Sequence, residues 1–269
     1  MTMNTAFRAA PALLLGLLLA TLPPVPATAA GGAALRQGGT GQVRAIVDGD
    51  TLALATGDRV RLVGIQAPKL PLGRHGFPAW PLAAEAKAAL AALTLGKTVT
   101  LSYGGRRVDR HGRLLAHLHD PKRRWIQGEM LRRGLARVYS FADNRARVAE
   151  MLRIEGTARA ARRGIWRLPF YAVRRVTETP QFVNSFQLVE GRIRAVAVVR
   201  GTAYLNFGRD WRTDFTIAIA ARARRLFAKA GIDLAGLAGR RIRVRGWLKS
   251  RNGPMIVVTH PEQIEGLEP

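Results

Sequence analysis

The chain contains no cysteine among its 269 residues. This absence excludes a disulfide framework, a thiol nucleophile, thiolate metal sites and lipid attachment through an N-terminal cysteine. Long apolar runs are also missing, apart from residues 9–22, which are too few to span a bilayer comfortably. We therefore expect no membrane span in the mature protein.

The single apolar run belongs to residues 1–30, which are typical of a secretory signal peptide. Arg8 is the only charge in this segment, three prolines close the run, and Ala27-Thr28-Ala29 supplies a small-residue cleavage site. Cleavage there predicts a periplasmic or secreted protein. The alternative is that the segment remains as an uncleaved N-terminal anchor.

Acidic residues are scarce relative to basic ones. There are 18 Asp and Glu against 43 Lys and Arg, and the net charge at pH 7 is +25. Such a chain attracts polyanions, and its excess of arginine over lysine suits bidentate contact with phosphate. Nucleic acid, DNA or RNA, is the expected partner; anionic lipid headgroups or envelope polysaccharide are the alternative. The sequence carries no signal for an oligomeric state.

Beyond the leader, the patterns indicate two β-rich domains, residues 41–167 and 181–269, in a fold that is mostly β with helices (α+β). In the first, three strands, a helix and two strands follow the order of a five-stranded OB-type barrel. A similar order predicts a smaller OB-like barrel in the second, with a hairpin across Asn252-Gly253. The helices expected in the first domain cover residues 82–95, 126–133 and 143–163, the last capped by Asp143 or Asn144.

Three short motifs of the first domain carry the candidate chemistry. Asp48-Gly49-Asp50-Thr51 places two carboxylates on a tight turn, residues 60–69 contain Arg61 on the next strand, and residues 109–113 end in Arg113. A metal ion and two guanidinium groups can surround one phosphate. The pattern therefore indicates a phosphodiester site.

In order and spacing, these motifs resemble the staphylococcal (thermonuclease) nuclease family. The resemblance covers residues 43–166 and includes the Pro68 corner, residues 131–138 and the closing Gly164-Ile165-Trp166. It implies a barrel that binds calcium and cleaves phosphodiester bonds in DNA or RNA.

Carried over residue by residue, the resemblance implies Asp50 as a calcium ligand and Thr51 beside it as a contact through its backbone carbonyl. Asp48 is a substitute carboxylate on the same turn. Arg61 and Arg113 match the two arginines that hold the scissile phosphate, where fixed guanidinium groups oppose the negative charge of the transition state.

Further contacts with nucleic acid are expected at the edge of this site. Tyr139 and Phe141 lie where the family uses an aromatic side chain to stack a base, and ordinary packing is the alternative. Arg110 and His111 belong to the basic turn before Arg113. His111 is a candidate phosphate contact or acid, with a solvated turn residue as the alternative.

Three positions depart from the family pattern. Gln66 replaces a second calcium-binding Asp, Ala67 replaces a Thr that supplies an oxygen contact, and Lys69 replaces the Glu that activates water. Calcium prefers several carboxylates among its oxygen ligands, so these changes weaken or abolish the metal site. Loss of a general base alone usually costs about two to four orders of magnitude in rate.

Three interpretations remain open at this point. The nuclease persists, with Lys69 as a catalytic cation or acid and Asp48, Glu85 or a metal-bound water as the base. Alternatively, the site is a catalytically inactive phosphate-binding module built from Arg61, Lys69, Arg110 and Arg113. In the third interpretation the site is a relic and the second domain carries the function.

The second domain interleaves aromatic and basic side chains, a pattern typical of an OB-type platform for single strands. Alternation over residues 240–245 predicts one basic sheet face, with a solvated face on a packing module as the alternative. The residues concerned are Tyr204, Phe207, Trp211, Trp247, Arg192, Arg194, Arg209, Arg212, Arg241, Arg243 and Arg245.

Overall fold

The structure, a computed structural model, describes Met1 and residues 35–267. The signal peptide predicted over residues 1–30 therefore lies, apart from Met1, outside the described residues. Residues 35–267 belong to one compact unit. Among the described residues, no helix has both the length and the apolar character needed to cross a membrane.

Five strands of the first half close into a barrel. In chain order, the strands of this half are β1 (Arg36–Asp48), β2 (Thr51–Leu54), β3 (Arg59–Leu62), β4 (Ile65–Gln66), β5 (Thr98–Tyr103), β6 (Leu114–His119) and β7 (Arg137–Val138). The barrel order is β1-β2-β3-β6-β5, with β3 and β6 parallel, while β4 and β7 pair separately. The predicted five-stranded OB-type barrel is confirmed.

Alternating apolar residues fill the barrel because successive side chains of a strand point to opposite faces. Leu52 and Leu54 of β2 and Val60 and Leu62 of β3 are all buried in one core. Three helices cover this core: α1 (Ala83–Thr94), α2 (Ile126–Arg132) and α3 (Val148–Ala160).

The third helix begins later than the sequence predicts. A start at Asp143 is wrong, since α3 begins at Val148 after Arg147, which has a positive φ of 60°. The Asp143 carbonyl instead accepts a hydrogen bond from the Arg106 backbone N–H, and the Asn144 amide donates to the Arg106 carbonyl. Both residues therefore anchor the basic loop after β5 instead of capping the helix.

The second half forms one curled eight-stranded sheet, compatible with the predicted OB-like module. Its strands are β8 (Arg174–Arg175), β9 (Phe186–Arg192), β10 (Ala195–Val199), β11 (Thr202–Asn206), β12 (Thr216–Ile219), β13 (Arg241–Ser250), β14 (Pro254–Val258) and β15 (Ile264–Gly266). Their order is β10-β11-β12-β14-β13-β9-β8, and β15 pairs with β13. The antiparallel β13–β14 hairpin turns at Asn252-Gly253 as predicted, and α4 (Ala221–Lys229) packs on a second core.

A buried ion-pair network joins α3 to the second sheet. Arg245 of β13 is fully buried, and its guanidinium donates to both carboxylate oxygens of Glu155 on α3, at 2.8 and 3.0 Å. The same group pairs with Glu265, and Arg243 pairs with Glu190 and Glu265. The prediction that Arg243 and Arg245 belong to a basic face for nucleic acid is therefore wrong, because these guanidinium groups neutralise carboxylates of α3 and of their own sheet.

His260 adds a neutral link to the same contact. Its ring is fully buried, with Nε2 2.8 Å from the Ser140 hydroxyl and Nδ1 3.0 Å from the Thr259 hydroxyl. Burial, reinforced by the positive charge of Arg145 and only partly opposed by Glu262, lowers the pKa of His260 to about 4.

We expect stability to fall with acidification because of His260. The imidazole has a pKa of 6.5 in the unfolded chain and of about 4 in the folded protein, so between these pH values only the unfolded chain binds the proton. The stability that the neutral ring contributes is therefore complete above pH 6.5 and is lost as the pH falls. At pH 5 the loss is about 2 kcal/mol relative to pH 7. Urea unfolding at both pH values checks this, and His260→Gln should reduce the difference by that amount. An unchanged difference in the variant would contradict the assignment.

Candidate functional site

A cleft of about 640 Å³ beside the β1–β2 turn collects most of the sequence-predicted site residues. These are Asp48, Arg61, Lys69, Arg110, His111, Arg113, Tyr139 and Phe141. They come from three separate motifs and from the segment after β7. Asp50 and Thr51 lie behind the cleft wall as buried residues, and Gln66 is also buried.

The turn that carries the two aspartates is held against the helix layer by its glycine. A Cβ at Gly49 would lie 2.7 Å from the Cβ atoms of both Ala67 and Ala86. A side chain at this position would therefore push the turn away from α1. The close contact fixes Asp48 at the cleft and Asp50 beneath it.

Asp50 is a fully buried carboxylate that protein groups surround. It accepts hydrogen bonds from the Ala67 backbone N–H at 2.7 Å and from the Thr51 hydroxyl at 3.3 Å. Arg61 pairs with it at 3.3 Å. Burial acts to raise the pKa of Asp50, but the charges of Arg61 and Lys69 outweigh burial and lower this pKa to about 2. Asp50 is therefore charged at neutral pH.

The Lys69 ammonium lies between the two aspartates. Its Nζ donates to Asp50 Oδ1 and Oδ2 at 2.8 and 2.7 Å, and to Asp48 Oδ2 at 3.3 Å. Burial, and then the charge of Asp50, raise the pKa of Asp48 despite the opposing charge of Lys69. Lys69 thus supplies, from within the chain, the positive charge that two adjacent carboxylates require.

Gln66 is hydrogen-bonded to an arginine of β7. Its Oε1 accepts hydrogen bonds from Nε and Nη2 of Arg137 at 2.9 and 2.7 Å. Arg137 is buried and lies against the ring of Phe186, 4.6 Å from its centroid. Sequence reasoning missed Arg137, because an arginine next to apolar residues on a strand gives no local signal of burial.

These residues do not fit a calcium ion. A calcium site needs several oxygen ligands, mostly carboxylate or carbonyl, and Lys69 already occupies three carboxylate oxygens. The Gln66 oxygen already accepts hydrogen bonds from Arg137. Within the described part of the chain, no three His, Asp or Glu side chains are grouped so that they could hold a metal.

The two predicted phosphate arginines differ in how they are held. Arg61 donates from Nη1 to the Leu62 carbonyl at 2.8 Å and from Nη2 to the Ile65 carbonyl at 2.6 Å. These bonds and the Asp50 pair bind its guanidinium to the chain. Arg61 therefore stabilises the β3–β4 corner, although it also lines the cleft.

Arg113 is held by Asp109 across a turn. The Asp109 carboxylate accepts from the Arg113 backbone N–H at 3.0 Å, from Nε at 2.8 Å and from Nη2 at 2.6 Å. Gly112 allows the turn through its φ of 75°. Asp109 is a positioning residue for Arg113. Burial acts to raise the pKa of Asp109, but the hydrogen bonds from Arg113 and from the His111 backbone, with the charge of Arg113, outweigh burial and lower this pKa.

The cleft lining as a whole is basic. Six Lys and Arg side chains line it against three Asp side chains, and His111 accepts a hydrogen bond from Arg110 at 3.1 Å. Arg74 and Arg106 belong to this set but were not predicted, because each lies in a loop without a motif. The excess of positive charge suits an anionic chain.

Aromatic side chains form one end of the cleft. Tyr139 and Phe141 line it, with their ring centroids 5.0 Å apart in an edge-to-face arrangement. Phe186 of β9 lies 4.9 Å from Tyr139, and Trp247 of β13 donates a hydrogen bond to the Tyr139 hydroxyl at 2.9 Å. The second sheet therefore contributes to the surroundings of the cleft.

Comparison with known proteins adds two relatives and a family. The family described as staphylococcal nuclease homologue matches residues 59–168. Protein ParB of Escherichia coli is 34% identical over 140 residues, which are 48% of this chain and 73% of that protein. The probable endonuclease LCL3 of Schizophyllum commune is 35% identical over 119 residues, 40% of this chain and 39% of that protein. The segment matched by the family contains Arg61, Lys69 and Arg113.

Proposed function

The chain belongs to the staphylococcal nuclease homologue family, and from this premise we propose that its cleft binds the phosphodiester backbone of nucleic acid without a divalent metal ion. The observation that carries this proposal is the Lys69 ammonium, which lies within 3.3 Å of both Asp48 and Asp50. Because Lys69 and Arg61 together offset the charge of the two carboxylates, phosphate can approach the cleft without a metal. The proposal includes the periplasmic or secreted location expected from residues 1–30.

Arg113 is the proposed principal phosphate contact. Asp109 holds its guanidinium at the cleft wall, and Arg110 and His111 stand beside it on the same turn. A guanidinium fixed in advance loses little conformational freedom on binding, and the Nη hydrogens that Asp109 does not accept can donate to phosphate oxygens. Lys69 and Arg61 also line the cleft and add positive charge to it.

A second function, hydrolysis of the bound phosphodiester without metal, is favoured by Asp48. Asp48 is the aspartate of the pair that lines the cleft, so its carboxylate is placed to accept a proton from an attacking water. Lys69 and Arg113 would then oppose the charge that develops on phosphate. This function requires cleavage that persists in EDTA and is lost in Asp48→Asn.

We expect the purified protein to bind a labelled oligonucleotide equally well in EDTA and in calcium. Arg113→Ala should weaken binding about tenfold, because a charge-assisted hydrogen bond is lost, and should lower the salt slope by about one. Fluorescence anisotropy at several salt concentrations measures both quantities. Gel analysis of the same incubations reports any cleavage.

Arg124→Ala is the matched control for this experiment. Arg124 pairs with Asp120 at 2.7 Å in the same i,i+4 arrangement as Arg113 with Asp109, but it does not line the cleft. An equal loss of binding in both variants would show a general charge effect and would overturn the proposed site. Binding that requires calcium would contradict the proposal of a metal-free cleft.

A further inference from the structure

The aromatic end of the cleft continues into the second sheet as an exposed surface. Phe141 is 52% exposed and Trp247 is 46% exposed, and Tyr139 lies between them in contact with both. Contact between large aromatic side chains and water is unfavourable, so folding alone does not explain why two of them are exposed in one surface cluster. Aromatic faces of this kind stack nucleic-acid bases regardless of sequence.

Basic side chains follow Trp247 along the same face of the hairpin. Lys249 is two residues beyond Trp247 on β13, and Arg251 follows two residues later at the turn; all three are exposed. Trp247 and Lys249 therefore point to one side of β13. Arg251 lies just past the last residue of the strand, and the four residue steps from Trp247 to Arg251 cover about 13 Å. The acidic partners of β13, Glu155, Glu190 and Glu265, pair with the arginines that precede Trp247.

The order of groups from the cleft is thus cationic wall, aromatic cluster and cationic strand end. A single-stranded nucleic acid offers phosphates and unpaired base faces to such a surface. A duplex would present phosphates but keep its base faces stacked, so the aromatic cluster would add nothing to its binding.

We propose that a single-stranded nucleic acid bound in the cleft continues over Trp247 and along Lys249 and Arg251, so that the second sheet lengthens the binding site. This inference rests on the proposed function. In this arrangement the second sheet increases the number of nucleotides that the protein contacts.

The experiment compares two thymidine oligonucleotides in EDTA, one of about twelve nucleotides, within the span of an OB fold, and one of about three that fits the cleft alone. Trp247→Ala should weaken binding of the long strand at least about fivefold and leave the short strand within about twofold. Trp247→Phe keeps a stacking face and should retain most of the affinity. Thermal unfolding confirms that each variant is folded.

A charge-matched pair of variants tests the strand end. Lys249→Gln with Arg251→Gln should lower the salt slope for the long strand by about one unit or slightly more. Arg222→Gln with Arg225→Gln removes the same charge from exposed sites on α4, which packs against β11, three strands away from β13. This control pair should leave the slope unchanged.

The outcomes separate this inference from the proposed function. If Trp247→Ala weakens both lengths equally or neither, or if the two double variants behave alike, the extended site is wrong even though Arg113→Ala still weakens short-strand binding. If Arg113→Ala leaves the short strand unaffected relative to Arg124→Ala, the cleft itself is not the binding site and the proposed function fails first.

Discussion

Lys69→Ala should destabilise the protein by about 3 kcal/mol and make its stability respond to calcium. Removing one partner of a buried ion pair usually costs about 3–5 kcal/mol, and the lower end applies because a fifth of the Lys69 side chain is exposed. Asp48 and Asp50 would then lack their shared cation. Calcium at millimolar concentration should restore part of the loss, because a ligand that binds only the folded state stabilises it.

Thermal unfolding with and without calcium measures both effects. The wild-type protein should show no shift with calcium, since the ammonium occupies the carboxylate oxygens that the ion would need. Adding Asp50→Asn to Lys69→Ala removes the buried carboxylate and should abolish the calcium response. An equal calcium shift in the wild type and in Lys69→Ala would contradict the idea that Lys69 takes the place of a metal.

Local patterns predicted the barrel because they depend on neighbours in the sequence. The alternation over 51–54 and 59–62 places every second side chain in one core, and the Ala- and Leu-rich segment forms α1 within one residue of its expected ends. The Asn252-Gly253 turn likewise determines its own hairpin. Strands, helices and turns that are determined by neighbouring residues could therefore be predicted from the sequence.

The interactions that decide the chemistry of the cleft are long-range and could not be predicted in this way. Gln66 is hydrogen-bonded to Arg137, which is 71 residues away in the sequence, and Trp247 is hydrogen-bonded to Tyr139, which is 108 residues away. Periodicity says which face of a strand is polar but not which charges will meet there. Hence Lys69 could be identified as a departure from the family pattern, whereas its position between two aspartates required the structure.

Strand β13 shows the same limit of local patterns, because here the pattern predicted a surface that the long-range contacts of two arginines rule out. Alternating arginines predicted a surface for nucleic acid, and for Arg243 and Arg245 the structure gives internal ion pairs instead. Arginine side chains pair with any anion that lies close to them, and here α3, β9 and β15 supply the carboxylates. From Trp247 onward β13 has no such partners among residues 35–267, and Trp247, Lys249 and Arg251 are exposed.

We expect Arg245→Met to destabilise the protein by about 3–5 kcal/mol. The substitution leaves Glu155 fully buried, with Arg159 at 2.7 Å as its remaining guanidinium partner. It also removes a hydrogen bond of 3.2 Å to the Val138 carbonyl, next to Tyr139 at the cleft. Urea unfolding at pH 7, evaluated from midpoint and slope, measures the change.

Two comparison variants isolate the buried charge as the cause. Arg241→Met removes an arginine of the same strand whose pair with Glu190 is largely exposed, and should cost no more than about 1 kcal/mol. Arg245→Met combined with Glu155→Gln removes both charges while keeping a side-chain oxygen that can accept from the Val138 N–H. This double variant should be more stable than Arg245→Met alone, because it leaves no buried carboxylate at position 155 without the Arg245 charge. If the double variant were less stable by the sum of two separate losses, the network would act through packing and not through the pairing of charge.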